Sequence, residues 1–295
     1  MGSAVPSSHV GVKINEWYKM IRQFSVPDAE VLKAEVELEI KAMEEDQDLL
    51  LYYSLMCFRH QLMLDSLEPP EKKYERPSIS ELLEKIENHQ KRLTGLLKYY
   101  SLFFHGMYEF DQKEYVEAIH YYREALHKAE HLKGKQANRI TGVIHHNLGL
   151  VSTRGGNLTD AEYFFRRALE MKDHMNTTNS IRTLYMMANV LYQSSKLDEA
   201  HLFYEKALKL ALHCNEEEYK AKLTIIYSIY EEYNEKEVER SLKYLEKKRL
   251  WSEYAELTEK IGDFHFETGN FIEGRNFLKR TINAQTQILK VTESL

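Results

Sequence analysis

Apolar side chains recur along this chain at helical intervals from near its beginning to its end. Val10, Ile14, Trp17, Tyr18, Ile21 and Phe24 stand three or four residues apart, so they share one face and predict a helix over about 10–24. Ser25-Val-Pro27-Asp28 closes it and opens the next, with Ser25 as candidate N-cap and Pro27 in a first turn, where its missing donor is not needed. Leu32, Val36, Ile40 and Met43 stripe a second helix over about 28–44. A third, over about 47–66, carries Leu50, Leu51, Tyr53, Met56, Cys57, Phe58, Leu62 and Leu64. That is more apolar surface than one buried stripe needs. The third helix is either central in a three-helix bundle or partly an exposed docking surface. From Leu67 to Pro77 prolines and charges replace periodicity, which reads as a linker. Ser78-x-x-Glu81 then has the form of a capping box opening a helix with Leu82, Leu83 and Ile86.

Beyond residue 91 the pattern repeats. Gly106 is followed by Ala118, Tyr122 and Ala125 at offsets of 12, 16 and 19; Gly149 has Ala161, Phe165 and Ala168 at the same offsets, and Ala188 has Ala200, Tyr204 and Ala207. Gly262, Gly274, Leu278 and Thr281 are a worn copy, and 219–249 holds a degenerate one. Small residues let paired helices approach and the aromatic fills between stacked pairs, which is the tetratricopeptide (TPR) pattern of helix pairs. The anchors lie 43 and 39 residues apart, so the turns between repeats are long. The expectation is an all-α protein: a three-helix bundle over 1–68, a linker over 69–78, and over 79–295 a linker helix and a right-handed TPR superhelix. About five repeats are expected near 91–131, 136–172, 178–212, 217–248 and 251–290. The first helices of the pairs should line a groove for an extended peptide or a helix. Asn147 and Asn189 are placed to hold a peptide backbone there, or are ordinary surface asparagines.

Composition changes this picture in two ways. Only five prolines and twelve glycines are present, which suits helices throughout. The net charge of −6 is unevenly placed: residues 1–68 hold six Lys and Arg against twelve Asp and Glu, and the remainder balances. A peptide-responsive regulator with a DNA-binding head would need a basic face instead. Cys57 and Cys214 form no disulfide framework, and with no signal core and no run of 18 apolar residues the chain reads as cytoplasmic. Gly2 and Ser3 meet part of a myristoylation pattern but read as a plain start. Gly155-Gly156-Asn157 reads as an inter-helix turn rather than a phosphate loop, His145-His146 lacks the spacing of a helical zinc pair, and no metal site is expected.

That leaves Glu44-Glu45-Asp46-Gln47-Asp48, at the mouth of the third helix. It is either a solvated acidic junction with Asp46 as N-cap, or a device that presents Gln47 to a docked partner. A glutamine amide is no base near neutral pH. It can accept from a water and donate to a developing oxyanion, the water-positioning role glutamine has in GTPases.

At these residues the sequence resembles a known family. Val10-Gly-Val-Lys-Ile-Asn-Glu-Trp-Tyr-Lys-Met-Ile, Glu44-Glu-Asp-Gln-Asp-Leu-Leu, Tyr53-Ser-Leu-Met-Cys-Phe-Arg-His-Gln-Leu-Met and Leu93-Thr-Gly-Leu-Leu-Lys-Tyr-Tyr-Ser-Leu-Phe-Phe are similar to the Rap proteins, response regulator aspartate phosphatases of spore-forming Gram-positive bacteria. The match is dense over about 8–126. The resemblance implies a helical bundle joined to TPR repeats, and hydrolysis of the aspartyl phosphate on a receiver domain of the sporulation phosphorelay. Gln47 matches the family's catalytic glutamine. Glu45, Asp46, Leu50, Phe58 and Leu96 match positions that grip the receiver. No cofactor is implied beyond Mg²⁺ on the receiver. The resemblance also implies inhibition by a short Phr-type peptide in the TPR groove, with Asn147 at a peptide-contacting position. Some members instead bind a transcription factor's DNA-binding domain and block it without chemistry. Family members are longer by roughly two repeats, and this chain loses them just after Lys128.

Overall fold

The computed structural model describes residues 5–67, 79, 81, 82, 86, 93, 95–131, 135–171 and 177–293. Among them are thirteen α-helices and one isolated bridge, Val5 to Met43. The expected linker at 69–78 and the Ser78 capping box lie outside the described residues. The chain divides into two compact units, 1–132 and 133–294.

The first unit begins with α1 (Ser7–Arg22), α2 (Val26–Ala42) and α3 (Gln47–Leu67). The stripe Val10, Ile14, Trp17 and Ile21 has no solvent exposure, nor have Ala29 and Val36 of α2 or Leu55, Met56 and Met63 of α3. Trp17 packs edge-on to His60, 5.5 Å between centroids. Lys13 ties α1 to α2 by donating to Glu39 at 2.5 Å and reaching Glu35 at 3.0 Å. Pro27 lies in the first turn of α2 as expected; Ser25 holds the N-cap position, but its hydroxyl donates to the Asp28 carboxylate at 2.6 Å instead of capping the backbone.

The helix pair α4 (Gly95–Asp111) and α5 (Tyr115–Glu130) completes this unit. The pair is the first repeat, and a Cβ on Gly106 would come within 2.7 Å of the Tyr122 ring. Its first helix packs on α1 and α3 through aromatic side chains: Tyr52 of α3 stacks on Tyr100, Tyr18 of α1 meets Tyr100 and Phe104 edge-on, and Phe58 of α3 lies 5.7 Å from His105. That seam groups the first repeat with the N-terminal helices.

The second unit holds four pairs: α6 (Lys135–Arg154) with α7 (Leu158–Glu170), α8 (Thr177–Gln193) with α9 (Leu197–His213), α10 (Glu217–Tyr230) with α11 (Glu235–Lys247), and α12 (Trp251–Glu267) with α13 (Phe271–Glu293). The spacing of small and aromatic residues is realised as contact. A Cβ on Gly149 would fall 2.6 Å from Phe165, so only glycine lets the first helix this close. Tyr204 fills the gap of the next pair and stacks on Tyr230 of α10. In the worn copy Thr281 stands where alanine does elsewhere, and its hydroxyl shares a 2.9 Å hydrogen bond with Thr258. Gly155-Gly156-Asn157 is a turn: Gly156 takes φ +78° and Asn157 caps α7, its Oδ1 accepting from Asp160 N at 3.1 Å.

Candidate functional site

The turn between α2 and α3 is pinned at both ends. On one side the Val5 amide donates to Ala42 O at 3.0 Å. On the other, Asp46 caps α3: its Oδ1 accepts from Leu49 N at 3.0 Å, and its carbonyl accepts from Leu50 N at 3.0 Å. Gln47 is the first helical residue and is exposed, as are Glu44, Glu45 and Asp48. Acidic side chains at a helix N-terminus are favoured by its dipole. The structural reading of the cluster therefore holds, and it presents Gln47 as a consequence.

Gln47 Nε2 donates to Glu45 Oε1. The cleft between α2 and α3, about 190 Å³ and lined in part by Lys33, Glu37, Tyr53 and Cys57, does not include Gln47. Gln47 thus stands on open surface, and any reacting group must be brought to it. Nearby Tyr52 donates to Asn15 Oδ1 at 2.8 Å, and burial raises its phenol pKa, so it stays protonated and serves as a strut.

The other candidates divide. Leu50 and Leu96 are half-buried, on α3 and α4. Leu96 lies one turn before Tyr100, whose ring stacks on Tyr52, so Leu96 flanks that seam. Phe58 is placed differently from a docking residue: it has no exposed surface and packs against His105 and Tyr108. In this arrangement α4 covers Phe58. Sequence reasoning read Leu93–Phe104 as family resemblance and repeat, and missed this seam, although the run Tyr99-Tyr100-Ser-Leu-Phe103-Phe104 carries more aromatic surface than one repeat uses.

In the second unit Asn147 and Asn189 lie half-buried on the first helices of their pairs. Asn147 Nδ2 donates to Val143 O at 2.8 Å, and Asn189 Oδ1 accepts from Tyr204 OH at 2.5 Å. Asn189 is also hydrogen-bonded to the Tyr185 hydroxyl. His145 and His146 are packing residues, against Phe164 and Phe165. Among the described residues no three His, Cys, Asp or Glu side chains converge as a metal ion would require. None of the described helices is long and apolar enough to cross a membrane.

Comparison with known proteins gives these features a context. A family model described as response regulator aspartate phosphatase H, N terminal, matches residues 4–65, and a tetratricopeptide repeat model matches residues 141–212. The chain is 40% identical to response regulator aspartate phosphatase H of Bacillus subtilis (strain 168), with 98% of each chain covered. That alignment spans 370 positions against 295 residues in this chain, so at least 75 positions of the relative have no counterpart here. Regulatory protein RapF of the same organism is 55% identical over 137 residues, covering 46% of this chain and 36% of that one. Among solved structures, that of NprR in complex with its cognate peptide NprX matches with a TM-score of 0.62 at 17% identity, over 97% of this chain and 81% of that one, a likeness of fold. With 40% identity sustained over nearly the whole of both chains, this protein belongs to the Rap family of response regulator aspartate phosphatases.

Proposed function

We propose that the protein hydrolyses the aspartyl phosphate of a response regulator receiver domain of the sporulation phosphorelay class, with Gln47 orienting the attacking water. The observation that carries this reading is the presentation of Gln47: an amide on open surface, fixed by the Asp46 cap, at the start of an apolar helix. Relatives named as aspartate phosphatases support it. The receiver docks on α3 and α4, with Asp46, Leu50 and Leu96 at the contact, and the Gln47 amide enters its acidic pocket. Mg²⁺ held in the receiver neutralises the phosphoryl charge, so the chemistry asked of this chain is the positioning of one water. Phosphate decay on a panel of phosphorylated receiver domains tests this. Acceleration of at least one is expected, and wild-type protein that accelerates none contradicts it.

A second reading has its own support. The 55% identity over 137 residues is to a relative named a regulatory protein, and the acidic excess of residues 1–68 could face a basic DNA-binding domain. The protein would then block a transcription factor without chemistry. A gel-shift assay on response-regulator transcription factors, run beside the decay assay, separates the two. Regulation by a Phr-type peptide would use the groove that holds Asn147 and Asn189. The missing positions equal about two 34-residue repeats, and their loss favours a peptide-insensitive form.

A further inference from the structure

We infer that Glu45 is a positioning residue for Gln47, holding the amide nitrogen so that the carbonyl oxygen is left to accept from the attacking water. The inference rests on the phosphatase reading and sharpens it. A carboxylate can only accept, so of the two ends of the Gln47 amide only Nε2 can face Glu45. The bond therefore selects one amide orientation out of two, and Oε1 is the end left over. An unrestrained glutamine at an exposed helix start would sample both orientations and several rotamers. The water that attacks a phosphoryl group needs an acceptor for one of its protons, and the freed carbonyl provides it.

The neighbouring carboxylates do not share this role. Asp46 is engaged by the Leu49 amide, and it is the Glu45 carboxylate that accepts from Gln47. Glu45 is itself well placed, because it lies in the short segment held between the Val5–Ala42 bond and the Asp46 cap. A device built only to attract a receiver by charge would not need its carboxylate turned onto Gln47.

Glu45→Ala, Glu45→Gln and Gln47→Ala are compared with wild type on a receiver domain that wild type dephosphorylates, with kcat and KM measured separately. Glu45→Ala is expected to lower kcat about 10- to 100-fold with KM within about twofold, the penalty of a misoriented positioning group. Glu45→Gln keeps an acceptor oxygen for Nε2 and is expected to hold kcat within about threefold of wild type. Wild-type kcat in Glu45→Ala, or equal KM increases in both Glu45 variants with kcat intact, would overturn the inference and make Glu45 a docking charge. Gln47→Ala separates this from failure of the underlying reading: if it retains full activity, the water-positioning role of Gln47 falls and the inference with it, and if wild type is inactive on every receiver, the phosphatase reading itself falls.

Discussion

Gln47 owes its exposure to the residue before it. α2 ends at Ala42, where Met43 turns extended, and Asp46 starts α3 by accepting from Leu49 N. Replacing it with alanine is expected to cost about 0.5–2 kcal/mol, the usual value of an N-cap, read as a lowered Tm, and to reduce phosphatase activity through a frayed first turn. At Gly149 the constraint is steric. A methyl group 2.6 Å from the Phe165 ring must push an interior side chain aside. Gly149→Ala should destabilise by about 1–3 kcal/mol in urea denaturation, whereas the same change at the exposed end of a helix would be neutral or favourable. His146 makes a third residue-scale case. Burial lowers its pKa to about 3, and its Nδ1 is bound to the Thr183 hydroxyl at 2.9 Å. Neighbouring His145 is lowered to about 4, mainly by burial. Between the unfolded value near 6.5 and these folded values, the unfolded chain binds more protons. Stability is therefore full above about pH 6.5 and falls as the pH drops toward 4. Denaturation midpoints at pH 7 and pH 5 should show this, and His146→Gln should flatten the slope.

At the scale of the element, the two ends of α3 have different duties. Its start offers Gln47 and Leu50; further along, Phe58 is sealed against His105 and Tyr108 of α4. Leu50→Ala should weaken receiver binding with little change in Tm. Phe58→Ala should cost about 3–5 kcal/mol, and any effect on binding should follow its loss of stability. Calorimetry of both variants, by heating and by titration, distinguishes these outcomes. The same contrast shows what the amino-acid pattern could and could not disclose. Helices α1 to α3 and the repeat pairs were legible because apolar periodicity and the small-to-aromatic offsets are direct images of packing, as Gly106 over Tyr122 and Gly149 over Phe165 demonstrate. Gln47 was not legible that way, since an exposed polar residue at a helix start looks like any other; only resemblance singled it out. The bond from Gln47 to Glu45 and the seam between α3 and α4 depend on side-chain direction and tertiary contact, which no periodicity encodes.

For the whole molecule, the relevant quantity is the number of repeats. A chain that matches 98% of its relative's length while lacking at least 75 of its aligned positions keeps the Gln47 region, which lies in the segment 4–65 matched by the N-terminal family model. The division into units at 132/133 falls close to Lys128, after which the resemblance places that loss. Each repeat contributes its own contacts to a ligand lying along an array, so a shortened array binds an extended peptide through fewer of them. Phosphatase activity is therefore expected to be unchanged by micromolar signalling peptides of the family. Micromolar binding by calorimetry, accompanied by loss of activity, would contradict this.

The measurement that bears most directly on the account is the rate of phosphate loss from a phosphorylated receiver domain bound to Gln47→Ala protein, compared with the same receiver bound to wild type at equal occupancy. The account predicts that the complex forms in both cases and that the variant is slower by about 10²–10³-fold, the cost of removing one preorganised group. Hydrolysis by the variant at the wild-type rate, with the complex intact, would contradict it.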